Sequence, residues 1–258
     1  MNSKLQAAAS HMLRLLYPPR CACCNRVVAH KERLCQACAD KLPRIEGRLC
    51  GACGRSAELC GEKHRFEFAR CVAPFYYLEP VRRGIHGLKF EGRRNAAAYF
   101  GLEMAGAVRQ RLAGISFDLV ACVPLSRERE RERGYNQASL LASQTAAVLQ
   151  LPFEPRAMSK LYDNKPQHSL SRAERRGNVL GVYEADERLV QDKCILLVDD
   201  IETTGSTLNE CAKVLKLRGA DVVYALVACI TLRRRDAQKL RGGENTGDEV
   251  GNALDDWA

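Results

Sequence analysis

The sequence predicts an α/β protein in which a small cysteine-rich region precedes an open, mostly parallel sheet with helices packed on its faces. Two observations support this fold class. From residue 72 onward, short apolar runs alternate with segments of helical periodicity, which is the rhythm of βαβ units. Before that point, nine of the 13 cysteines lie between Cys21 and Cys71, in a stretch with few long apolar runs.

Composition sets broad limits on the function. The chain has 258 residues, 46% of them hydrophobic, so it can bury a sizeable core. Its formal net charge of +9 permits an anionic partner, either a phosphorylated small molecule or nucleic acid. No run approaches the roughly 18 apolar residues of a membrane helix, and no signal-peptide pattern opens the chain. We therefore expect no membrane insertion and a cytoplasmic protein, where clustered cysteines bind metal more often than they form disulfides.

The predicted elements follow in chain order. Residues 1–17 read as a short helix that stops at Pro18-Pro19, and residues 18–72 form the cysteine region. The next domain covers 73–235, and the acidic, Gly-rich residues 236–258 are expected to be a disordered tail. Strands are predicted at 72–78, 118–124, 194–198 and 222–230. Helices are predicted at 80–90, 96–112, 136–149 and 208–217, with a further short helix at 172–179 in the polar stretch 152–180.

Two pairs of cysteines indicate a zinc site. Cys21 and Cys24 are separated by two residues, as are Cys35 and Cys38, and ten residues lie between the pairs. Each pair closes a tight turn that aims two thiolates at one point, and two such turns complete a tetrahedral sulfur shell suited to Zn²⁺. Cys23 is then a spare cysteine. Because protein ligands fill every position, we expect a structural zinc that stabilises a region too short to fold by burial alone.

A second, less regular half-site follows. Cys50 and Cys53 repeat the spacing, but the partner pair is incomplete, because Lys63 stands where a cysteine is expected after Cys60. A Cys₃His shell would consist of Cys50, Cys53, Cys60 and His64. Cys71 is a rival fourth ligand, and a degenerate site left with free cysteines is the alternative to both.

Residues 195–207 carry the main chemical motif. A buried apolar strand delivers Asp199 and Asp200 at its carboxyl end, where open α/β sheets bind ligands. Small hydroxyl residues and Gly205 then run into a helix, whose N-terminus favours a phosphate. Two carboxylates beside a phosphate cradle make sense if they accept hydrogen bonds from the hydroxyls of an attached ribose. The alternative is a pair of acids and a threonine cap that merely start a helix.

This string resembles the phosphoribosyl pyrophosphate (PRPP) signature of type I phosphoribosyltransferases. The resemblance implies that Asp199 and Asp200 form the catalytic pair and hold the ribose 2- and 3-hydroxyls. It implies that residues 203–207 hold the 5-phosphate, and that Mg²⁺ binds chiefly through oxygens of the ligand. The PRPP-binding set then continues after the two aspartates with Ile201, Glu202, Thr203, Thr204, Gly205, Ser206 and Thr207.

Shorter motifs are similar to landmarks of the ComF family, as is the paired cysteine ribbon. They are Leu88-Lys89-Phe90, Pro124-Leu125, Arg133-Gly134-Tyr135-Asn136-Gln137 and residues 172–179. The similarity runs from residue 13 to 230 and departs at Lys63-His64, where another cysteine pair is expected. Members of this family are linked to DNA uptake in competent bacteria, and a related branch is named for gluconate utilisation, but their reaction is not settled. The fold implied is the type I phosphoribosyltransferase fold preceded by a double zinc ribbon.

Basic residues near this motif have two interpretations each. Arg133 and Lys89 are candidates for contact with the pyrophosphate, although Lys89 also fits a snorkelling surface lysine. The alternating Arg and Glu of residues 127–133 favours an exposed, self-paired helix for Arg127 and Arg129. Residues 165–178 resemble the mobile flap of this fold. His168 within it is either a proton carrier or a solvated loop histidine.

The sequence thus predicts a PRPP-binding enzyme that transfers a phosphoribosyl group to an unknown acceptor and releases pyrophosphate. The alternative is a non-catalytic PRPP- or nucleotide-responsive module, whose zinc ribbon and basic surface contact single-stranded DNA or a competence helicase. Only 6% of the residues are aromatic, which disfavours the stacking on which single-strand binding usually depends. A purely structural zinc adaptor on an inactive fold is a third possibility, which the intact Asp-Asp loop disfavours.

Overall fold

The computed structural model describes residues 18–60, 64–161 and 182–232. The predicted helix over 1–17, the flap with its short helix, and the tail after 235 lie outside the described residues. The described helices are α1 Gln36–Ala39, α2 Val81–Phe90, α3 Ala96–Arg111, α4 Arg127–Arg133, α5 Gln137–Leu149, α6 Glu187–Val190 and α7 Ser206–Leu217. The described strands are β1 Cys71–Val72, β2 Phe75–Tyr76, β3 Leu119–Cys122, β4 Met158–Lys160, β5 Tyr183–Ala185, β6 Cys194–Glu202 and β7 Val222–Ile230.

The main sheet is parallel throughout its described strands, as predicted. Its order is β1–β7–β6–β3, and β2 also pairs with β7 beyond the end of β1. Strands β6 and β7 pair along their whole length, from Cys194 opposite Val222 to Glu202 opposite Ile230. The carboxyl ends of these central strands therefore meet at one edge of the sheet, which is where ligands bind in open α/β folds.

The core has two layers because successive strand residues point to opposite faces. Leu196 and Val198 belong to a cluster that includes Ile85 of α2 and Leu141 of α5. Ile195 and Leu197 belong to a second cluster that includes Leu215 of α7. Helices thus cover both faces of the sheet, which explains the continuous apolar run of β6.

Several predicted boundaries are corrected. Strand β6 does not end at residue 198 but continues through both aspartates to Glu202, because β7 supplies hydrogen-bonding partners that far. The predicted strand 72–78 is two short strands on either side of Pro74, which has no N–H to give to the ladder. The antiparallel pairing of β4 and β5 was not predicted, because each strand is only three residues long, too short for a clear pattern. Within the described ranges, no helix combines the length and hydrophobicity needed to cross a bilayer.

Candidate ligand site and metal clusters

The first cysteine cluster assembles as the spacing predicted. The sulfur atoms of Cys21, Cys24, Cys35 and Cys38 all lie within 4.8 Å of one another. The Cys21 N–H donates to the Arg26 carbonyl at 2.8 Å, and the Cys38 N–H donates to the Cys35 carbonyl at 3.0 Å, so each pair sits on a tight turn. The Cys24 and Cys35 sulfurs are 3.6 Å apart. Zinc–sulfur bonds of about 2.3 Å put tetrahedral sulfurs about 3.8 Å apart, so the cluster fits zinc.

The second cluster brings His64, rather than Cys71, to three cysteines. The ligand atoms of Cys50, Cys53, Cys60 and His64 lie within 4.8 Å of one another. The Cys60 sulfur is 3.1 Å from Nε2 of His64 and the Cys53 sulfur is 3.5 Å from that of Cys60. Cys71 is buried in β1 outside this group of atoms. All 13 cysteines fall in the described residues and none forms a disulfide, so both donor sets remain suited to structural zinc.

The two aspartates occupy the carboxyl end of β6 and have different environments. Asp200 is buried, and its Oδ2 lies 3.0 Å from Nζ of Lys89, a side chain only 4% exposed. Asp199 keeps part of its surface accessible and accepts a hydrogen bond from the Asp200 N–H at 2.8 Å. Removal from water, reinforced by the neighbouring charge of Asp200, raises the pKa of Asp199 to about 8. The site therefore combines a carboxyl group held in an ion pair with Lys89 and one whose pKa is raised to about 8.

Two of the short family motifs, residues 88–90 and 133–137, meet near Asp200. Lys89 is buried at the end of α2, which excludes the snorkelling interpretation. The hydroxyl of Tyr135 donates to the carbonyl of Leu88, which connects the motif at 133–137 to the motif at 88–90. The Arg133 guanidinium lies 4.8 Å from the centre of the Phe90 ring and donates to Oε1 of Gln137 at 3.0 Å. Burial lowers the pKa of Arg133, although the charge of Asp200 opposes this.

The hydroxyl loop enters α7 in a conformation suited to an anion. Gly205 has a φ of +78°, a region that residues with a Cβ rarely adopt. The N–H of Ser206 donates to Oγ1 of Thr204 at 3.3 Å. The hydroxyl residues of the loop are exposed, namely Thr203, Thr204, Ser206 and Thr207. Exposed hydroxyls and the free N–H groups of a 12-residue helix together can bind a phosphate.

Two residues of the predicted PRPP-binding set have side chains that are buried rather than exposed at the loop surface. Ile201 is packed in the apolar core, and Glu202 pairs with Arg55, whose Nη2 lies 2.6 Å from Oε2 of Glu202. Only their main chain remains available to a ligand. Sequence reasoning missed Arg55, because it follows Cys53 by two residues in a string that suggested nothing beyond the metal site.

Helix α4 has none of its side chains buried, as expected for alternating Arg and Glu. Ser126 caps it by accepting a hydrogen bond from the Arg129 N–H at 3.3 Å. The predicted interpretation of Arg127 and Arg129 as surface residues is consistent with this exposure. Arg133, the last residue of the helix, is half-buried and lies close enough to Asp200 for the two charges to interact.

Comparison with known proteins matches both parts of the chain. The family model described as a double zinc ribbon domain matches residues 12–72, and the model of the phosphoribosyl transferase domain matches residues 135–250. The DNA utilization protein YhgH of Escherichia coli (strain K12) is 32% identical over 82% of this chain and 90% of its own length. Competence protein F of Haemophilus influenzae is 30% identical over 75% of this chain and 88% of its own.

Matches of lower identity include a further competence protein and a solved phosphoribosyltransferase structure. Competence protein ComFC of Bacillus subtilis is 28% identical over 79% of this chain and 85% of its own length. Among solved structures, the adenine phosphoribosyltransferase of Thermoanaerobacter pseudethanolicus matches 54% of this chain and 82% of its own, with 20% identity and a TM-score of 0.35. The family models and the parallel sheet, rather than that superposition, carry the fold assignment.

Proposed function

Because the chain belongs to the ComF family, in which a double zinc ribbon precedes a phosphoribosyltransferase-type domain, we propose that it binds Mg²⁺–PRPP at the carboxyl end of β6. It transfers the phosphoribosyl group to an acceptor and releases pyrophosphate. The names of two relatives, which refer to DNA utilization and to competence, support a role for this reaction in the handling of DNA during uptake. We propose a cytoplasmic location, because clustered cysteines in a reducing compartment bind metal more often than they form disulfides.

One arrangement supports this proposal above the others. Two carboxylates at the end of a buried strand are followed at once by exposed hydroxyls at a helix N-terminus. The loop would hold the 5-phosphate, and Asp199 and Asp200 would accept hydrogen bonds from the two ribose hydroxyls. Only a few residues separate Asp199 and Asp200 from the loop 203–207. This short separation suits the short span between a ribose and its 5-phosphate.

The remaining groups suit the departing pyrophosphate. The acceptor nucleophile attacks C1 of the ribose, the bond from C1 to the pyrophosphate oxygen breaks, and the electron pair leaves with pyrophosphate. Arg133 provides a forked donor for the diphosphate oxygens near Asp200. Lys89 holds Asp200 in place, so that its carboxylate keeps one orientation toward the ribose. Magnesium, held mainly by ligand oxygens, would reduce the negative charge of the diphosphate.

A calorimetric titration of the zinc-loaded protein with Mg²⁺ and PRPP tests the proposal. The Asp199→Asn/Asp200→Asn double variant should lose detectable binding and remain folded, because both hydroxyl acceptors become amides. Asp221→Asn is the matched control, since Asp221 is exposed beside the opposite end of the strands and should bind as the unaltered protein does. Unchanged affinity in the folded double variant would disprove the site. Pyrophosphate release that depends on a candidate acceptor would establish transfer.

A second candidate function is a non-catalytic module that binds single-stranded DNA or a helicase partner. The names of the relatives and the net charge of +9 favour it. Direct DNA binding should weaken steeply with salt, because each phosphate contact releases counterions. Anisotropy of a labelled oligonucleotide between 50 and 200 mM salt, roughly the range over which such slopes are measured, distinguishes the two. A steep slope without PRPP binding would make this the leading function.

A further inference from the structure

The second metal cluster reaches the hydroxyl loop through Arg55. The main chain of Arg55 belongs to the turn that carries Cys50 and Cys53, because the Cys50 N–H donates to the Arg55 carbonyl at 2.8 Å. The Arg55 side chain extends from this turn and inserts under the hydroxyl loop. There Nη2 lies 2.6 Å from Oε2 of Glu202 and 3.0 Å from the carbonyl oxygen of Thr203. The guanidinium also donates to the Thr231 carbonyl after β7, so one side chain joins three segments.

A second contact comes from Phe66, two residues after His64. The two rings stack with centroids 5.2 Å apart and planes 10° from parallel. The Phe66 ring also abuts Gly205, since a Cβ there would lie 3.0 Å from the ring. The next residue continues the contact, because the Glu67 N–H donates to Oδ1 of Asn209 in α7 at 2.7 Å. A continuous set of contacts thus runs from His64 through Phe66 to Gly205, and from Glu67 to Asn209 in α7.

The charges explain why the loop needs Arg55. Asp199 and Asp200 lie at the proposed ligand site and Glu202 is buried beneath the loop, so three carboxyl groups stand near the place where a highly anionic ligand would bind. The Arg55 and Glu202 side chains are only 5% and 1% exposed, so water does not screen them. Without Arg55, the buried Glu202 carboxylate would lose this charge-assisted hydrogen bond beside the phosphate loop, which opposes both folding and anion binding. A hydrogen-bonding fork is also required, because the guanidinium must satisfy Glu202 and two carbonyls together.

The first cluster makes its contacts elsewhere. Arg33, between its two cysteine pairs, donates to the Ala98 carbonyl of α3 at 2.8 Å. The Ala22 carbonyl approaches Gly84 of α2 so closely that a Cβ there would lie 2.9 Å from it. These contacts brace helices on one face of the sheet. Among the described residues, the second cluster therefore contacts the hydroxyl loop and the first does not, so the first cluster serves as a control for the second within the same chain.

We propose that the second cluster is a positioning element for the ligand site. Through Arg55 and Phe66 it holds residues 203–207 in the phosphate-binding conformation, so that loss of zinc from this cluster releases the loop. Loss of zinc from the first cluster leaves the loop in place. The ligand-binding part of this inference rests on the proposed PRPP site, whereas the ordering of the loop does not.

Hydrogen–deuterium exchange of the full-length, zinc-loaded chain tests the ordering directly. His64→Ala and Cys24→Ser should each lose about one zinc, because each removes one ligand from one closed shell. Only His64→Ala should speed exchange in the peptide spanning 201–210, by tenfold or more on the order-of-magnitude scale of local opening. His64→Cys, which restores a cysteine shell, should retain zinc and most of the protection. Equal exchange of this peptide in the two zinc-deficient variants would overturn the proposal.

Arg55 variants separate positioning from metal binding. Arg55→Met should keep both zinc ions yet bind PRPP at least tenfold more weakly, about one decade in Kd. Arg55→Lys should fall between, because an ammonium keeps the charge but not the fork. Arg55→Met/Glu202→Met should bind PRPP more tightly than Arg55→Met, since the buried Glu202 carboxylate is removed together with Arg55.

The outcomes distinguish the two proposals. Normal PRPP affinity in Arg55→Met would reject the positioning role. If the unaltered protein does not bind PRPP, the proposed function fails, while the exchange experiment still decides whether the second cluster orders the loop. If Arg55→Met fails to fold, Arg55→Lys provides the same comparison with the charge retained.

Discussion

At the scale of single residues, the neighbouring aspartates are not equivalent. Successive residues of a strand point to opposite faces, so Asp200 meets Lys89 of α2 while the charge of Asp199 acts on the Cys211 thiol of α7. One carboxylate has a cation within 3.0 Å, and the other has a pKa of about 8. The two carboxyl groups therefore stand in different electrostatic environments.

This difference predicts a proton-linked affinity. Ribose hydroxyls donate to a carboxylate and favour its ionised form, so PRPP binding should release a proton from Asp199 below pH 8 and tighten as the pH rises to that value. Titrations in two buffers with different ionisation enthalpies would measure the release. Asp199→Asn should retain only the proton uptake or release of the phosphates themselves, which titrate near pH 6. Identical proton release in this variant would contradict the assignment.

The same residue has an effect on stability with a defined sign. Its folded pKa of about 8 lies above the ordinary value of 3.8, so the folded state binds the extra proton. The contribution of Asp199 to the free energy of unfolding is therefore full at acid pH and is lost as the pH rises from about 4 to about 8. Urea unfolding of the unligated protein at several pH values, compared with Asp199→Asn, measures it. A flat difference between the two proteins across this range would reject the shift.

Lys89 provides a second prediction at this scale. Lys89→Met would leave the Asp200 carboxylate buried without its cation and should lower the free energy of unfolding by about 3 kcal/mol. Lys89→Met/Asp200→Asn should recover much of this loss, because no buried charge remains. Denaturant melts of the two zinc-loaded variants would measure the difference. Equal stability of the two would show that the ion pair is not a coupled unit.

At the scale of elements, helix α4 carries one arginine, Arg133, that we propose binds the ligand, whereas Arg127 and Arg129 are exposed. We expect Arg133→Ala to weaken PRPP binding about tenfold, the worth of one hydrogen bond to a charged group. Arg127→Ala/Arg129→Ala should change it less than about twofold, as is usual for exposed charges. Calorimetric Kd values for the three proteins test this. A large effect of the double variant would reassign the exposed face of the helix to ligand binding.

Elements with strong periodicity were predictable, and elements defined by partners were not. Strand 222–230 was predicted with its observed bounds because every residue contributes to one apolar run. Strand β6 was cut short at residue 198, because its last four residues are polar or isolated and are strand only through pairing with β7. Among site residues, Asp199 and Asp200 follow from the local string. Arg55 does not, because its partner Glu202 is distant in sequence and no local pattern marks a buried ion pair.

At the scale of the whole molecule, the two metal clusters act as supports for the sheet rather than as a separate appendage. A chelator that removes zinc should release about two equivalents per chain, one from each cluster, and lower the thermal stability of the whole domain. A colorimetric zinc assay run beside circular dichroism melts tests this. Release of two zinc ions with an unchanged melt would contradict it, as would a stoichiometry of one.

The order of the strands also has a consequence for how the chain is made on the ribosome. Strands β1 and β2 are the first described strands to emerge, yet both pair with β7, which emerges last. The two cysteine clusters form from residues close in sequence and can bind metal early. The sheet, in contrast, cannot be completed until residues 222–230 have left the exit tunnel. In the meantime the apolar edge of β6 has no neighbour on that side and is open to aggregation. A nascent chain that stops short of Val222 would therefore be a metal-loaded fragment in need of a chaperone.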